Sequence, residues 1–149
     1  MSTHTAAIAW SRAPHADDPK TFSRNHVTTL GGQTLNMSSS PDFLGDQGCA
    51  DPEQMVVSAL ASCHMLFFLA LAEMKGFPVA HYADKPVGEL GKTDRGMALT
   101  RVTLSPRVIF VDKQPDPDTF AKIHEGAHKR CFIANSLTAE ITLDLGGDS

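Results

Sequence analysis

The stretch from Met55 to Ala72 carries no charged residue, and only Ser58, Ser62, Cys63 and His64 interrupt its apolar character. Its flanks read as helix ends. Asp51 can cap, Pro52 suits the first helical position, and Gln54 stands three residues after the cap. The helix is expected to run to about Lys75, with Gly76 as its C-terminal cap and Pro78 just beyond. At 1.5 Å per residue it would be roughly 36 Å long. That length could cross a bilayer. Three features argue against a span. The flanks Asp51/Glu53 and Glu73/Lys75 show no basic bias, His64 would sit unpaired near the bilayer centre, and the chain beyond reads as β-structure. A helix buried on nearly all sides is the expectation. A chain of 149 residues has little material to wrap it, so an intimate homodimer is expected.

Composition narrows the function classes. The length suits one domain spanning 1–149, and 42% hydrophobic residues exclude a disordered chain. A net charge of −4 and the lack of a basic run argue against a nucleic-acid partner or a membrane-surface patch. Met1 to Trp10 lacks a basic start and a long apolar run, so no secretory signal is expected. Three cysteines are an odd, sparse count for a disulfide framework. They suit a reducing, cytoplasmic setting.

The remaining elements follow from periodicity and turn chemistry. Thr5–Trp10 is a strand candidate, and Ser11–Lys20 an irregular loop. Phe22–Leu30 and Gln33–Ser38 alternate polar and apolar residues across Gly31-Gly32, a hairpin signal. Ser38–Cys49 reads as a loop. After the long helix, Val79–Leu90 is extended, with Gly88 as a candidate bulge, and Gly91–Gly96 is a turn. Ala98–Val111 reads as one long strand broken at Pro106. Asp116-Pro117 opens a second helix through about Lys129, and Leu137–Leu145 alternates as a half-buried strand. The order predicts an α+β fold with mostly antiparallel pairing.

Each cysteine has a structural and a chemical reading. Cys63 lies mid-helix among Leu60, Leu66 and Phe67, where a thiol commonly serves as a small buried hydrophobe. Cys131 follows His128, Lys129 and Arg130, whose charges favour a thiolate while a helix C-terminus disfavours one. Cys49, in the Gly-rich loop, reads as a partly exposed bystander. Cys49, Cys63, His64, His128 and Cys131 are enough ligands in number for a metal. Yet no Cys-x-x-Cys is present, and Cys63 and His64 point about 100° apart on a helix. His124 and His128 share a face at i, i+4, a spacing that more often makes a solvated or capping pair. No metal and no cofactor is therefore expected.

Two segments carry a family resemblance. Asp51-Pro52-Glu53-Gln54-Met55 through Ala59-Leu60-Ala61-Ser62-Cys63-His64 resembles the helix start and reactive cysteine of the OsmC/Ohr thiol-dependent hydroperoxide reductases. Cys131-Phe132-Ile133-Ala134-Asn135-Ser136-Leu137 is similar to the family's second cysteine motif, with Phe132 where proline is usual. The resemblance lies nearer the broad OsmC-like group than the Ohr type. It implies an OsmC-like fold, antiparallel sheets around long central helices in an intertwined homodimer. It also implies Cys63 as peroxidatic thiolate, Cys131 as resolving thiol and Glu53 as the family glutamate at the helix start. An activating arginine would come from an early hairpin, with Arg24 as candidate and Arg12 as the alternative. The implied partners are an organic hydroperoxide and a dithiol reductant, either a dihydrolipoyl protein or a small thiol.

The implied chemistry is physically coherent. A free thiol near pKa 8.5 is only a few per cent ionised at pH 7, and an adjacent guanidinium favours the charged form. A carboxylate such as Glu53 could orient that guanidinium. Glu53 and Cys63 are roughly 15 Å apart along a straight helix. Glu53 would then serve the thiol of the second subunit. Two other readings fit the sequence. One is an OsmC-like binding or stress-associated protein without peroxidase activity. The other is acyl chemistry at Cys63 with His26 or His128 as base.

Overall fold

The computed structural model describes residues 1–146, and the chain divides into two compact units, Met1–Met55 and a second that begins at Val56.

The N-terminal unit is built on an antiparallel three-stranded sheet, β1 (Ala7–Ala9), β2 (His26–Leu30) and β3 (Gln33–Met37), in the order β1-β2-β3. The β2–β3 hairpin pairs Leu30 with Gln33 across Gly31 and Gly32, at φ +55° and +76°. Both turn positions need the left-handed region, which only glycine takes without strain. The polar-apolar alternation predicted over 22–30 shortens to His26–Leu30. Phe22–Asn25 leaves the sheet, and Phe22 instead bridges Pro14. A single 3-10 turn, Pro41–Phe43, lies in the loop that follows.

The long helix α1 runs from Pro52 to Met74, close to its predicted bounds. Asp51 Oδ1 accepts from the Gln54 backbone N–H at 2.8 Å, and Gln54 Oε1 accepts from the Asp51 N–H at 3.0 Å. This reciprocal box satisfies two amides that a helix start leaves free. At the other end Gly76, at φ +83°, lets the Phe77 N–H reach Ala72 O and its own N–H reach Glu73 O. That is the Schellman pattern, and Phe77 packs in the same cluster as Ala72.

The second unit places α1 against two sheets and a second helix. β4 (Val79–Ala83) pairs with β7 (Arg107–Phe110), and β5 (Val87–Thr93), β6 (Gly96–Leu104) and β8 (Glu140–Leu143) form the other sheet. The stretch expected as one strand over 98–111 is two strands in different sheets. Pro106 cannot donate a ladder hydrogen bond, and the chain changes sheet at Ser105-Pro106. The segment 79–90 divides likewise. The bulge lies between Glu89 and Leu90, opposite Thr100, rather than at Gly88. Gly88 answers a different need, because a Cβ there would come within 2.5 Å of Val57 on α1. β8 is shorter than expected and runs parallel to β6, the one parallel pairing between strands among the described residues. A parallel return requires a crossover, and helix α2 (Pro117–Arg130) with the short α3 (Phe132–Ser136) supplies it. Asp116 caps α2 by accepting the Thr119 N–H at 2.8 Å.

Helix α1 is not buried on nearly all sides within one chain. It buries one stripe, Val57, Leu60, Ala61, His64, Phe68 and Ala72, and leaves Leu66 59% exposed. The stripe feeds two clusters. Val57, Leu60 and Ala61 pack with Val102, Leu104 and Cys131, while Phe68 and Ala72 pack with Phe110, Ile123 and Ala127. Every partner comes from one side of the helix, so the Ala59, Ser62, Leu66 face has no cover from the described residues of its own unit.

Candidate active site

The two clusters meet α1 on either side of Cys63 and His64, and both cysteines of interest belong to the first cluster. Cys63 lies halfway along α1 and is partly exposed, whereas Cys131 is fully buried. Cys131 sits at the joint between two helices. It ends α2, its backbone N–H reaching His128 O, and it caps α3, its sulfur accepting the Ala134 N–H at 3.4 Å. The Cys131 thiol faces the Leu60 carbonyl of α1 at 4.0 Å. Burial pushes the Cys131 thiol above its ordinary pKa, against the Ala134 amide. Cys63 beside it, through a hydrogen bond and through charge, pushes it further. The basic residues before it do not reverse this. Lys129 pairs with Glu125 at 3.3 Å and Arg130 turns back to Gly126 O. Desolvation therefore decides the state of Cys131, and the thiol stays protonated at neutral pH.

An aromatic pair flanks the sulfurs. Phe67, one turn after Cys63, meets Phe132, the residue after Cys131, edge to face at 5.1 Å. Phe132 is 69% exposed. The exposed Phe132 ring, next in the chain to Cys131, thus adds an apolar rim.

The arginines belong to the N-terminal unit. Arg24 lies just ahead of β2 rather than in a strand. Its guanidinium stacks on the Phe22 ring at 3.8 Å and donates to Thr21 Oγ1 at 3.1 Å and to the Phe22 carbonyl. Arg12 approaches the same ring at 5.9 Å, and Trp10 meets it edge to face. Trp10, Arg12, Phe22, Arg24, His26 and Pro52 line a cleft of about 580 Å³. An open, apolar cleft carrying two cations suits an amphipathic anion or a partner surface. Glu53 occupies the first turn of α1, where a carboxylate suits the helix dipole.

Cys49 lies in the loop ahead of α1 and is partly exposed. Burial and then the charge of Asp46, which also hydrogen-bonds it, raise its pKa. Among the described residues no group of three His, Cys, Asp or Glu side chains is arranged to hold a metal ion. The pattern expected to give His124 and His128 a shared solvated face fails for His124. It is fully buried, and its Nδ1 lies 2.9 Å from Nε2 of the equally buried His64. The signal was present in the sequence. Phe120, Ile123, His124 and Ala127 fall on one helical face, as do Leu60, Ala61, His64 and Phe68.

The fold and this pair of sulfurs define a class: small α+β proteins that hold two thiols in one cluster between helices. Comparison with known proteins narrows it. A family model for OsmC-like proteins matches residues 45–146. The chain is 30% identical over 102 residues to peroxiredoxin OsmC of Escherichia coli K12, covering 68% of this chain and 69% of that one. It superposes on an OsmC-like protein of unknown function from Vibrio cholerae with a TM-score of 0.88 at 37% identity, covering 96% and 98% of the two chains. An organic hydroperoxide resistance protein from Legionella pneumophila shares the fold, with TM-score 0.73, 16% identity and 96% of each chain covered. The chain belongs to the OsmC-like family. Cys63, Cys131 and Glu53 fall inside the matched stretch, and Arg24 and Arg12 outside it.

Proposed function

We propose that the protein reduces organic hydroperoxides with a thiol pair, Cys63 as the attacking sulfur and Cys131 as the resolving one. The observation that carries this is the contrast between them. Two sulfurs share one cluster, and one is reachable from solvent while the other is fully buried and held protonated. A peroxide arriving from solvent meets Cys63 first. The names of the family relatives, a peroxiredoxin and an organic hydroperoxide resistance protein, support the same reaction class.

The Cys63 thiolate attacks the terminal peroxide oxygen, the O–O bond breaks, and the alkoxide leaves as alcohol after taking a proton. Cys63 becomes a sulfenic acid. The Cys131 sulfur then attacks the Cys63 sulfur, and the sulfenic oxygen leaves as water with the Cys131 proton. An external dithiol reopens the disulfide by exchange. Phe67 and Phe132 favour an apolar substituent on the peroxide. Arg24, with Arg12 beside it as the alternative, supplies the cation that keeps the attacking sulfur ionised, and Glu53 orients it. Since Glu53 lies roughly 15 Å along the axis from Cys63 of its own helix, it serves the site of a second copy. The uncovered face of α1 at Leu66 is the surface that copy would bury, in a homodimer working in the reducing cytoplasm.

The test is a peptide map of the reduced protein after one equivalent of cumene hydroperoxide. A Cys63–Cys131 bond is expected. Cys63→Ser should abolish consumption, and Cys131→Ser should allow one turnover that leaves Cys63 as a sulfenate, over-oxidised by any further peroxide. Slow, unselective oxidation of all three thiols would refute the reading.

A further inference from the structure

The buried imidazoles of His64 and His124 take no part in that chemistry, and the fold is at some cost to hold them. They are 1% and 0% exposed. Their rings lie in nearly parallel planes, 5° apart, with centroids at 5.2 Å, and one hydrogen bond joins Nε2 of His64 to Nδ1 of His124. The outer nitrogens, His64 Nδ1 and His124 Nε2, have no partner among the described residues. Phe68 and Phe120 close on His124 at 4.2 and 4.8 Å. A pair of apolar side chains would fill this space without an unsatisfied nitrogen, and such replacements are often neutral or stabilising.

What apolar packing does not supply is register. The clusters above and below the pair are made of interchangeable aliphatic and aromatic contacts. Gly126 lets α1 approach α2 closely, because a Cβ there would stand 3.2 Å from Leu71 Cδ1. It limits the distance between the helices but not their axial slide. A directional N–H···N bond does fix that slide, since one turn of slippage would strand two imidazoles in apolar surroundings. His64 is the residue after Cys63, and His124 lies two turns before Cys131 on the helix that ends there.

We infer that the His64–His124 hydrogen bond is a register lock that sets Cys63 opposite Cys131, making both histidines positioning residues for closure of the disulfide. This rests on the thiol chemistry proposed above. The lock acts through geometry alone, as one ring donates, the other accepts, and no proton leaves the pair. It explains why the core keeps two polar rings at this level and at no other level of the α1–α2 contact.

The experiment compares wild type with the double variant His64→Leu/His124→Phe, in which no lone imidazole is left behind. The equilibrium of the Cys63–Cys131 disulfide with a glutathione redox buffer reads positioning without any peroxide. The double variant should fold and lose about tenfold in that equilibrium constant, the equivalent of about 1.4 kcal/mol. His124→Asn, whose amide reoccupies the place of Nδ1, should restore most of the loss. An unchanged constant in the double variant overturns the inference. If that variant does not fold, nitrogen NMR of the wild type decides. A coupling between the two ring nitrogens across the shared proton is expected, and its absence overturns the lock. Wild type that closes the disulfide in glutathione but not with cumene hydroperoxide would sink the peroxidase reading and leave the lock standing.

Discussion

Acid should unfold this protein through its buried histidine pair. Burial, and then the charge of His128, lowers His64 from 6.5 to about 4, and burial with the charge of His64 lowers His124 to about 3. In the unfolded chain both rings take a proton near pH 6.5. Between that value and about 4 the unfolded chain therefore binds more protons than the fold does. Stability is complete above pH 7.5 and drains as pH falls through 6.5. By pH 5 each histidine withdraws about 2 kcal/mol, a large share of the 5–15 kcal/mol typical of a domain. Asp84 works with the opposite sign, since burial first of all holds its carboxyl above the usual range. The measurement is the urea midpoint between pH 7.5 and 5, with reductant present, for wild type and for His64→Leu/His124→Phe. Asp84 and the histidines that do not face His64 are common to both chains and cancel. Wild type should lose several kcal/mol more than the variant over this range. Equal losses would show that the rings are already charged or solvated in the fold, and the reasoning about their burial would fail.

Other consequences are smaller and more local. Asp51→Ala removes one half of the capping box at Gln54 and should lower stability by about 1 kcal/mol in chemical denaturation. Gly32→Ala should cost about 1 kcal/mol, and since no atom stands within 4 Å of the added Cβ, that cost is backbone alone. A neutral result would mean the hairpin turn has another conformation. Under the proposed reaction, Phe132→Ala should raise KM for cumene hydroperoxide several-fold while leaving hydrogen peroxide consumption and kcat nearly unchanged, because the exposed ring would meet the apolar substituent rather than the peroxide oxygens. A parallel rise for both peroxides would assign Phe132 a structural role instead.

Local chemistry determined much of this protein. The Asp51/Gln54 box, the Gly76 cap, the Gly31-Gly32 turn and the Asp116 start of α2 each depend on residues within a few positions of one another, and each stands where the sequence puts it. The family resemblance was legible in the two cysteine segments, each a contiguous run of residues. Tertiary structure decided what depends on distant partners. Pro106 announced a break, but only the partner strands put β6 and β7 in different sheets, and only the α2–α3 crossover made β8 parallel. His64 and His124 each fell on an apolar helical face, yet their bond spans 60 residues of chain and is invisible to any local pattern. For Cys131 the helix C-terminus disfavoured an ionised sulfur while the preceding basic residues favoured one. Desolvation in a core assembled from α1, β6 and β8 overrode them, because charge is short-ranged at a solvated surface while burial is a property of the whole fold.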